Sequence, residues 1–313
     1  MKTLLGQILS VLVTAQFALG SFANGFIILV NCPDWIKKRK ISLVDQIVTV
    51  LAISRIGFLW VALIVWYTAE YNSALNGITV FRITINITWT VSSHFTSWLA
   101  TSLSILYLLK IANFSSLLFL YLKWRVKCVL LVILLGSLIF LVFQLIAISM
   151  YENVVSNEKE ENMTWKTKPR YFVQVSNFTI YLVSILIPFI MSLISLVLLI
   201  FSLWKHLKKM QLSGKGSQDH STKVHIRALQ TVVSFLFLFA IYFFDTIISL
   251  WNFDKMLNKL ILMFCNALVI LYPSSHSFIL IWGNKKLTQA FLSFLWQLKF
   301  QLRERSKLGV VSL

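Results

Sequence analysis

Seven stretches of this chain stay apolar for roughly the thickness of a bilayer: near 7–30, 42–67, 85–109, 127–150, 178–203, 227–251 and 259–282. A helix needs about 20 mainly apolar residues to cross about 30 Å of hydrocarbon. Inside lipid, only helices and closed barrels give every backbone N–H and C=O a partner. The runs show none of the period-2 alternation of barrel strands, so they select helices. The expected fold is all-α, one seven-transmembrane helix bundle over residues 1–313. Charged residues make up 13% of the chain and mean hydropathy is +0.79. Soluble domains carry roughly 25% charged residues, so this chain cannot clothe a water-facing surface.

The net charge of +18 could suggest nucleic-acid binding, but its placement argues for topology instead. Twenty of the 29 basic residues fall in alternate segments. These are Lys37–Lys40; Lys110, Lys123, Arg125 and Lys127; Lys205 to Arg227; and Lys285 to Lys307. The positive-inside rule makes these segments cytoplasmic, the N-terminus external and the C-terminus internal. No nucleic-acid partner is needed to explain the charge. Met1–Gly20 has the look of a signal peptide, but its apolar run continues to Val30 and meets Lys37–Lys40, as in a first span that acts as its own insertion signal. Cys32 and Cys128 fall on the reducing side and Cys265 in the seventh span, so no disulfide is expected.

Polar residues inside the apolar runs are expected to face the bundle interior. Arg55 costs about 2.5–3.5 kcal/mol at mid-bilayer on insertion scales and so requires partners. Asn24, His276 and Ser277 lie at matching depth and are the expected partners in a polar clasp. Trp89, Ser93, Thr96 and Ala100 form one stripe at helical spacing on the third run. Pro188 and Pro273 remove backbone donors within the fifth and seventh runs. Tyr151 to Asn177 reads as a polar outer loop, and within it Asn162-Met163-Thr164 is the expected glycosylation site. Ser213 to Thr222 reads as a polar inner linker. After Gly283-Asn284, the apolar positions Leu287, Ala290, Phe291, Phe294, Leu295 and Leu298 predict an amphipathic helix over about 284–300, lying on the inner leaflet of the lipid bilayer.

Catalytic signatures are missing. There is no His-Glu-x-x-His, Cys-x-x-Cys, Gly-x-Ser-x-Gly or Walker sequence, and no cofactor or metal is expected. Asp45, Arg55, His94, Asp245 and His276 do not make the paired carboxylates of an intramembrane protease, and His94 reads as a helix-packing residue. A small-molecule transporter is the rival class, but the chain lacks matching halves with paired broken helices.

Ordered strings along nearly the whole chain resemble the type 2 taste receptors, the bitter receptors among G-protein-coupled receptors. They include Asn24-Gly25-Phe26-Ile27, Leu51-Ala52-Ile53-Ser54-Arg55, Leu106 to Ser115, Lys123-Trp124-Arg125-Val126-Lys127, Ile187-Pro188-Phe189, Ser221 to His225, Tyr272 to Leu280 and Gly283 to Leu287. Cys128 replaces a lysine usual in the family, Lys285 stands where many members have proline, and Ser93 stands where asparagine is frequent. The resemblance implies a multi-pass plasma-membrane receptor for bitter small-molecule agonists. Its partner would be a heterotrimeric G protein of the gustducin or inhibitory class. By position it implies ligand contacts at Trp66, Trp89, Ser93, Leu186, Phe243, Ile247 and Asn266, and a G-protein-facing set of Tyr107, Lys110, His206 and Arg227. A vomeronasal type 1 pheromone receptor would share this topology and take a different ligand.

Overall fold

A computed structural model of the chain describes residues 4–37, 41–71, 73–160, 167–212, 220–252 and 259–311. Among these, the secondary structure is helical throughout: α1 (Leu4–Ile36), α2 (Leu43–Tyr71), α3 (Thr79–Ile111), α4 (Leu117–Trp124), α5 (Val126–Glu160), α6 (Thr167–Leu212), α7 (His220–Asn252), α8 (Lys259–Gly283) and α9 (Lys285–Val311). Six helices contain segments long and apolar enough to cross a membrane: Leu4–Ile36, Leu43–Tyr71, Val126–Val154, Phe172–Lys208, Ile226–Ile248 and Met263–Gly283. The remaining expected span, 85–109, lies within α3, which has the length but not the apolarity. Its position explains the difference. α3 packs against α2, α5, α6 and α7, and buries Thr90, Ser93, His94, Thr96, Ser97, Thr101, Ser102 and Ser104. Side chains facing other helices can be polar when their hydroxyls bond the preceding turn, as Ser97 Oγ does to Ser93 O at 2.8 Å.

The other long helices close around α3, with α1 against α2 and α8, α5 against α6, α6 against α7, and α7 against α8. Several run past the apolar stretches. α6 spans 46 residues where 178–203 was expected, and α5 continues to Glu160, so much of the predicted loop from Tyr151 to Asn177 is helix. A helix stops where its backbone or caps stop it, not where hydrophobicity ends. Asn162 and the linker residues 213–219 lie outside the described residues. The short helix α4 was not anticipated. It follows extended residues at Ala112 and Ser116, and ends at Arg125.

Caps define one end of the bundle. Ser42 Oγ accepts from Asp45 N at 3.1 Å and donates to Asp45 Oδ2 at 2.7 Å, a side-chain cap at the start of α2. Asn284 Oδ1 accepts from Lys286 N at 3.0 Å at the start of α9, while Asn284 Nδ2 reaches Asp45 Oδ1 at 2.8 Å. Lys286 Nζ donates to Asp34 Oδ2 at 2.7 Å and Asn31 Oδ1 at 2.8 Å. The root of α9 is therefore fastened to α1 and α2. α9 extends to Val311, beyond the 284–300 predicted, and its Leu292, Leu295, Trp296 and Leu298 are exposed. None of Cys32, Cys128 and Cys265 is in a disulfide.

α1 and α8 meet at Gly20. A Cβ there would overlap the Ser274 side chain, whose Cβ would be 2.9 Å away, and would crowd Leu59 Cδ1 at 3.0 Å. Gly25, on the same helix, has nothing within 4 Å of the corresponding position. Gly20→Val is therefore expected to destabilise the solubilised protein by about 1–3 kcal/mol through overpacking. Gly25→Ala should leave its melting temperature unchanged or raised. Equal melting temperatures for the two variants would contradict this close packing.

Candidate functional site

Three groups of side chains stand out, one at each end of the bundle and one between them. The first surrounds Trp89 on α3. Its ring lies 5.0 Å from Phe58 of α2, and its Nε1 donates to Tyr181 Oη of α6 at 3.3 Å. Phe58 in turn meets Tyr242 of α7 at 6.4 Å, and Tyr242 meets Tyr272 of α8 at 5.6 Å. Rings from five helices thus converge, as i, i+3 and i+4 spacing along α7 (Phe235, Phe239, Tyr242) requires. Trp66 is buried in an adjoining apolar cluster with Leu59, Met263 and Ile270, and Trp89 packs on its edge. Phe243 stacks on Phe189 with centroids 5.5 Å apart. Ser93 is buried and gives its hydroxyl proton to Thr90 O at 3.1 Å. Leu186, Ile247 and Asn266 are half-buried on α6, α7 and α8.

Aromatic rings cluster at this end. The cavity beside Ser93, lined also by His94, Ser97, Gln144 and Ser184, measures about 10 Å³. That is room for one water, against 300–1,000 Å³ for a typical small-molecule pocket. His94 Nε2 lies 3.2 Å from Ser137 Oγ, which already donates to Leu134 O at 2.7 Å. The histidine is therefore the donor, in a helix-packing bond between α3 and α5.

The second group is centred on Arg55, which is fully buried. Arg55 Nη1 donates to Ser277 Oγ at 3.1 Å and Nη2 to His276 Nδ1. A guanidinium has donors only, so Nδ1 accepts and the imidazole proton sits on Nε2. Ser277 Oγ lies 2.8 Å from Asn24 Oδ1, and Asn24 Nδ2 donates to Gly20 O at 2.8 Å. The guanidinium carbon stands 5.4 Å from the Tyr272 ring centroid. Asn24, Arg55, His276 and Ser277 are thus joined in one network across α1, α2 and α8.

The third group lies at the opposite, basic end. Tyr107 is half-buried against the core, Lys110 and Arg227 are exposed, and His206 is half-buried. They sit toward the basic-end termini of α3, α6 and α7. Lys123 Nζ closes the turn after α3 by donating to Ala112 O at 2.9 Å and Asn113 Oδ1 at 2.8 Å.

Sequence reasoning missed the rings of Phe58, Tyr181 and Tyr242, which nothing in an apolar run separates from lipid-facing aromatics. It also missed Glu152. That carboxylate is 2% exposed and takes a forked bond from Arg82, with Nε at 2.8 and 3.1 Å and Nη2 completing it, plus Asn86 Nδ2 at 3.1 Å. The Glu152 hydrogen bond raises the Arg82 pKa further above its ordinary value.

A sequence model of the taste receptor protein family (TAS2R) matches residues 1–299. Taste receptor type 2 member 46 of Homo sapiens is 57% identical over 303 residues, covering 97% of this chain and 98% of its own length. Member 43 of Homo sapiens and member 66 of Pan paniscus are each 56% identical over the same shares.

The Arg82–Glu152 fork ties α3 to α5 near the Trp89 end. Glu152→Arg alone is expected to cost about 1.5–3 kcal/mol, the scale of a hydrogen-bonded charge. Combining it with Arg82→Glu should recover part of that loss in a thermal melt of the purified protein. A double variant no more stable than Glu152→Arg would show that the pair does not hold the two helices.

Proposed function

Because the chain belongs to the taste receptor type 2 family, we propose that it is a seven-span, multi-pass plasma-membrane receptor for bitter small molecules, coupled to a gustducin-type G protein. The family match over residues 1–299 carries this reading. α3 is then the remaining span. The Trp89 end faces outward and the basic end inward, in keeping with the positive-inside rule. Agonists enter among Trp66, Trp89, Ser93, Leu186, Phe243, Ile247 and Asn266. Indole and phenyl rings suit them to flat or polycyclic molecules, with a few polar groups to orient the ligand.

The packed rings impose a condition on binding. An agonist must part or replace ring contacts such as Trp89–Phe58, and can activate only by favouring the active arrangement over the resting one. A coupling of about 1–3 kcal/mol is the usual scale. The contacts Trp89–Phe58–Tyr242–Tyr272 lead from the ligand end to Arg55. In this reading the clasp of Asn24, Arg55, His276 and Ser277 is the fixed point against which α6 and α7 shift. Movement at the far end then opens Tyr107, Lys110, His206 and Arg227 to the G protein. α9, with its exposed apolar face, lies on the inner leaflet.

Cells expressing the receptor with a gustducin-type chimeric G protein should release calcium in response to members of a bitter-compound panel, and silence without the chimera identifies the route. Trp89→Ala should raise the half-maximal concentration at least tenfold for several unrelated agonists with surface abundance unchanged. Unaltered potency would move the ligand away from Trp89. Solute flux without a G protein would overturn the receptor reading itself.

A further inference from the structure

One buried ionisable group takes no part in the clasp, the ion pair or the caps. Asp245 on α7 is 3% exposed, and neither carboxyl oxygen has a hydrogen-bond partner. It stands beside the Cys265 thiol of α8, a weak donor. A carboxyl group with so little to bond destabilises the fold in either protonation state, and ionisable residues within membrane helices therefore mark functional positions by default.

Its location is specific. Along the α7–α8 seam, Phe235 faces His276 at 5.3 Å, Phe239 faces Tyr272 at 5.7 Å and Tyr242 faces Tyr272 at 5.6 Å. Asp245 comes one turn after Tyr242, farther along the direction in which this column rises from Arg55 toward the Trp89 end. The rings end in a carboxylate. Half-buried Phe243 and Ile247 flank it on α7, and half-buried Asn266 follows Cys265 on α8. The other buried acid at this end, Glu152, is already committed to Arg82.

Aromatic faces with one uncommitted anion are the chemistry that recognises a protonated amine: rings attract the cation through their quadrupoles, and a carboxylate supplies the counter-charge. We propose that Asp245 is the counter-ion for the ammonium group of cationic agonists, and that it biases this receptor toward basic organic molecules. The inference rests on the receptor reading above and deepens it by naming a ligand class. The ammonium N–H would donate to a carboxylate oxygen that now lacks a partner, with the Tyr242 and Trp89 rings walling the rest of the molecule.

The test uses the full-length receptor in the calcium assay. Its probes are rigid polycyclic tertiary amines, ionised at pH 7.4, each paired with an isostere whose nitrogen is an uncharged amide, together with unrelated neutral bitter compounds. In the unsubstituted receptor, amines should be at least tenfold more potent than their neutral isosteres. Asp245→Asn should weaken the amines 10- to 100-fold while moving neutral agonists less than threefold, and Asp245→Glu should restore part of the amine response. Equal shifts for amines and neutral compounds would make Asp245 a helix-packing residue and overturn the proposal. So would amines no better than their isosteres in the unsubstituted receptor, a comparison that stands even if Asp245→Asn fails to reach the surface. Neutral agonists that activate while every amine is silent would sink this inference and leave the receptor reading intact. Silence toward both classes would sink the receptor reading.

Discussion

A guanidinium that cannot lose its charge is enclosed where no water reaches it, and the rest of the bundle is arranged around that fact. Arg55 finds no carboxylate. It is met by a hydroxyl, an imidazole nitrogen and an aromatic face, supplied by Ser277, His276 and Tyr272 of α8. Neutral acceptors spread the charge without the second desolvation that a buried anion would add. The arrangement works only at one register of α2 against α8. Ser277 and Asn24 extend the constraint to α1, and the close approach at Gly20 lets α1 and α8 come near enough for it.

α3 meets a different demand. It carries too many hydroxyls for a lipid-facing helix and so lies where other helices cover it. Some of its hydroxyls bond carbonyls of their own preceding turn, as Ser93, Ser97 and Ser104 do, while Thr96 meets Ser54 of α2 and Thr101 donates to Pro188 O of α6. Contacts made by rings alone can slide with little loss, as where Phe189 of α6 packs on Phe239 and Phe243 of α7. The helices around Arg55 cannot, because displacing any of them strands a charge. The bundle therefore divides into a fixed part at α1, α2 and α8 and a seam between α6 and α7 where Phe189 packs on Phe239 and Phe243. That division is what a two-state sensor needs.

How much of this could be read from the sequence follows from how steep each energetic penalty is. A lone arginine in an apolar run must have polar partners at its own depth, so Asn24, His276 and Ser277 could be grouped with Arg55 before any coordinates. Aromatics carry no such penalty on either side. Phe58 is 1% exposed and Trp60, two residues away, is 53% exposed, and no local pattern told them apart. Helix ends were misjudged because hydrophobicity marks where lipid stops, whereas α5 and α6 continue for several polar turns. Glu152 then sat in what read as a loop, hiding its pairing with Arg82. Nor did the apolar runs foretell that rings from five helices meet at the Trp89 end.

The most direct test of the fixed part is a double-mutant cycle on the purified, solubilised receptor, using Arg55→Leu, His276→Leu and the two combined, each measured by thermal unfolding. If the guanidinium and imidazole depend on each other, each single change should cost stability. The pair should then cost less than the sum by at least about 1 kcal/mol, since replacing both partners leaves nothing unsatisfied. Costs that add to within about 0.3 kcal/mol would mean that Arg55 is held some other way, and the fixed point assigned to α1, α2 and α8 would be lost.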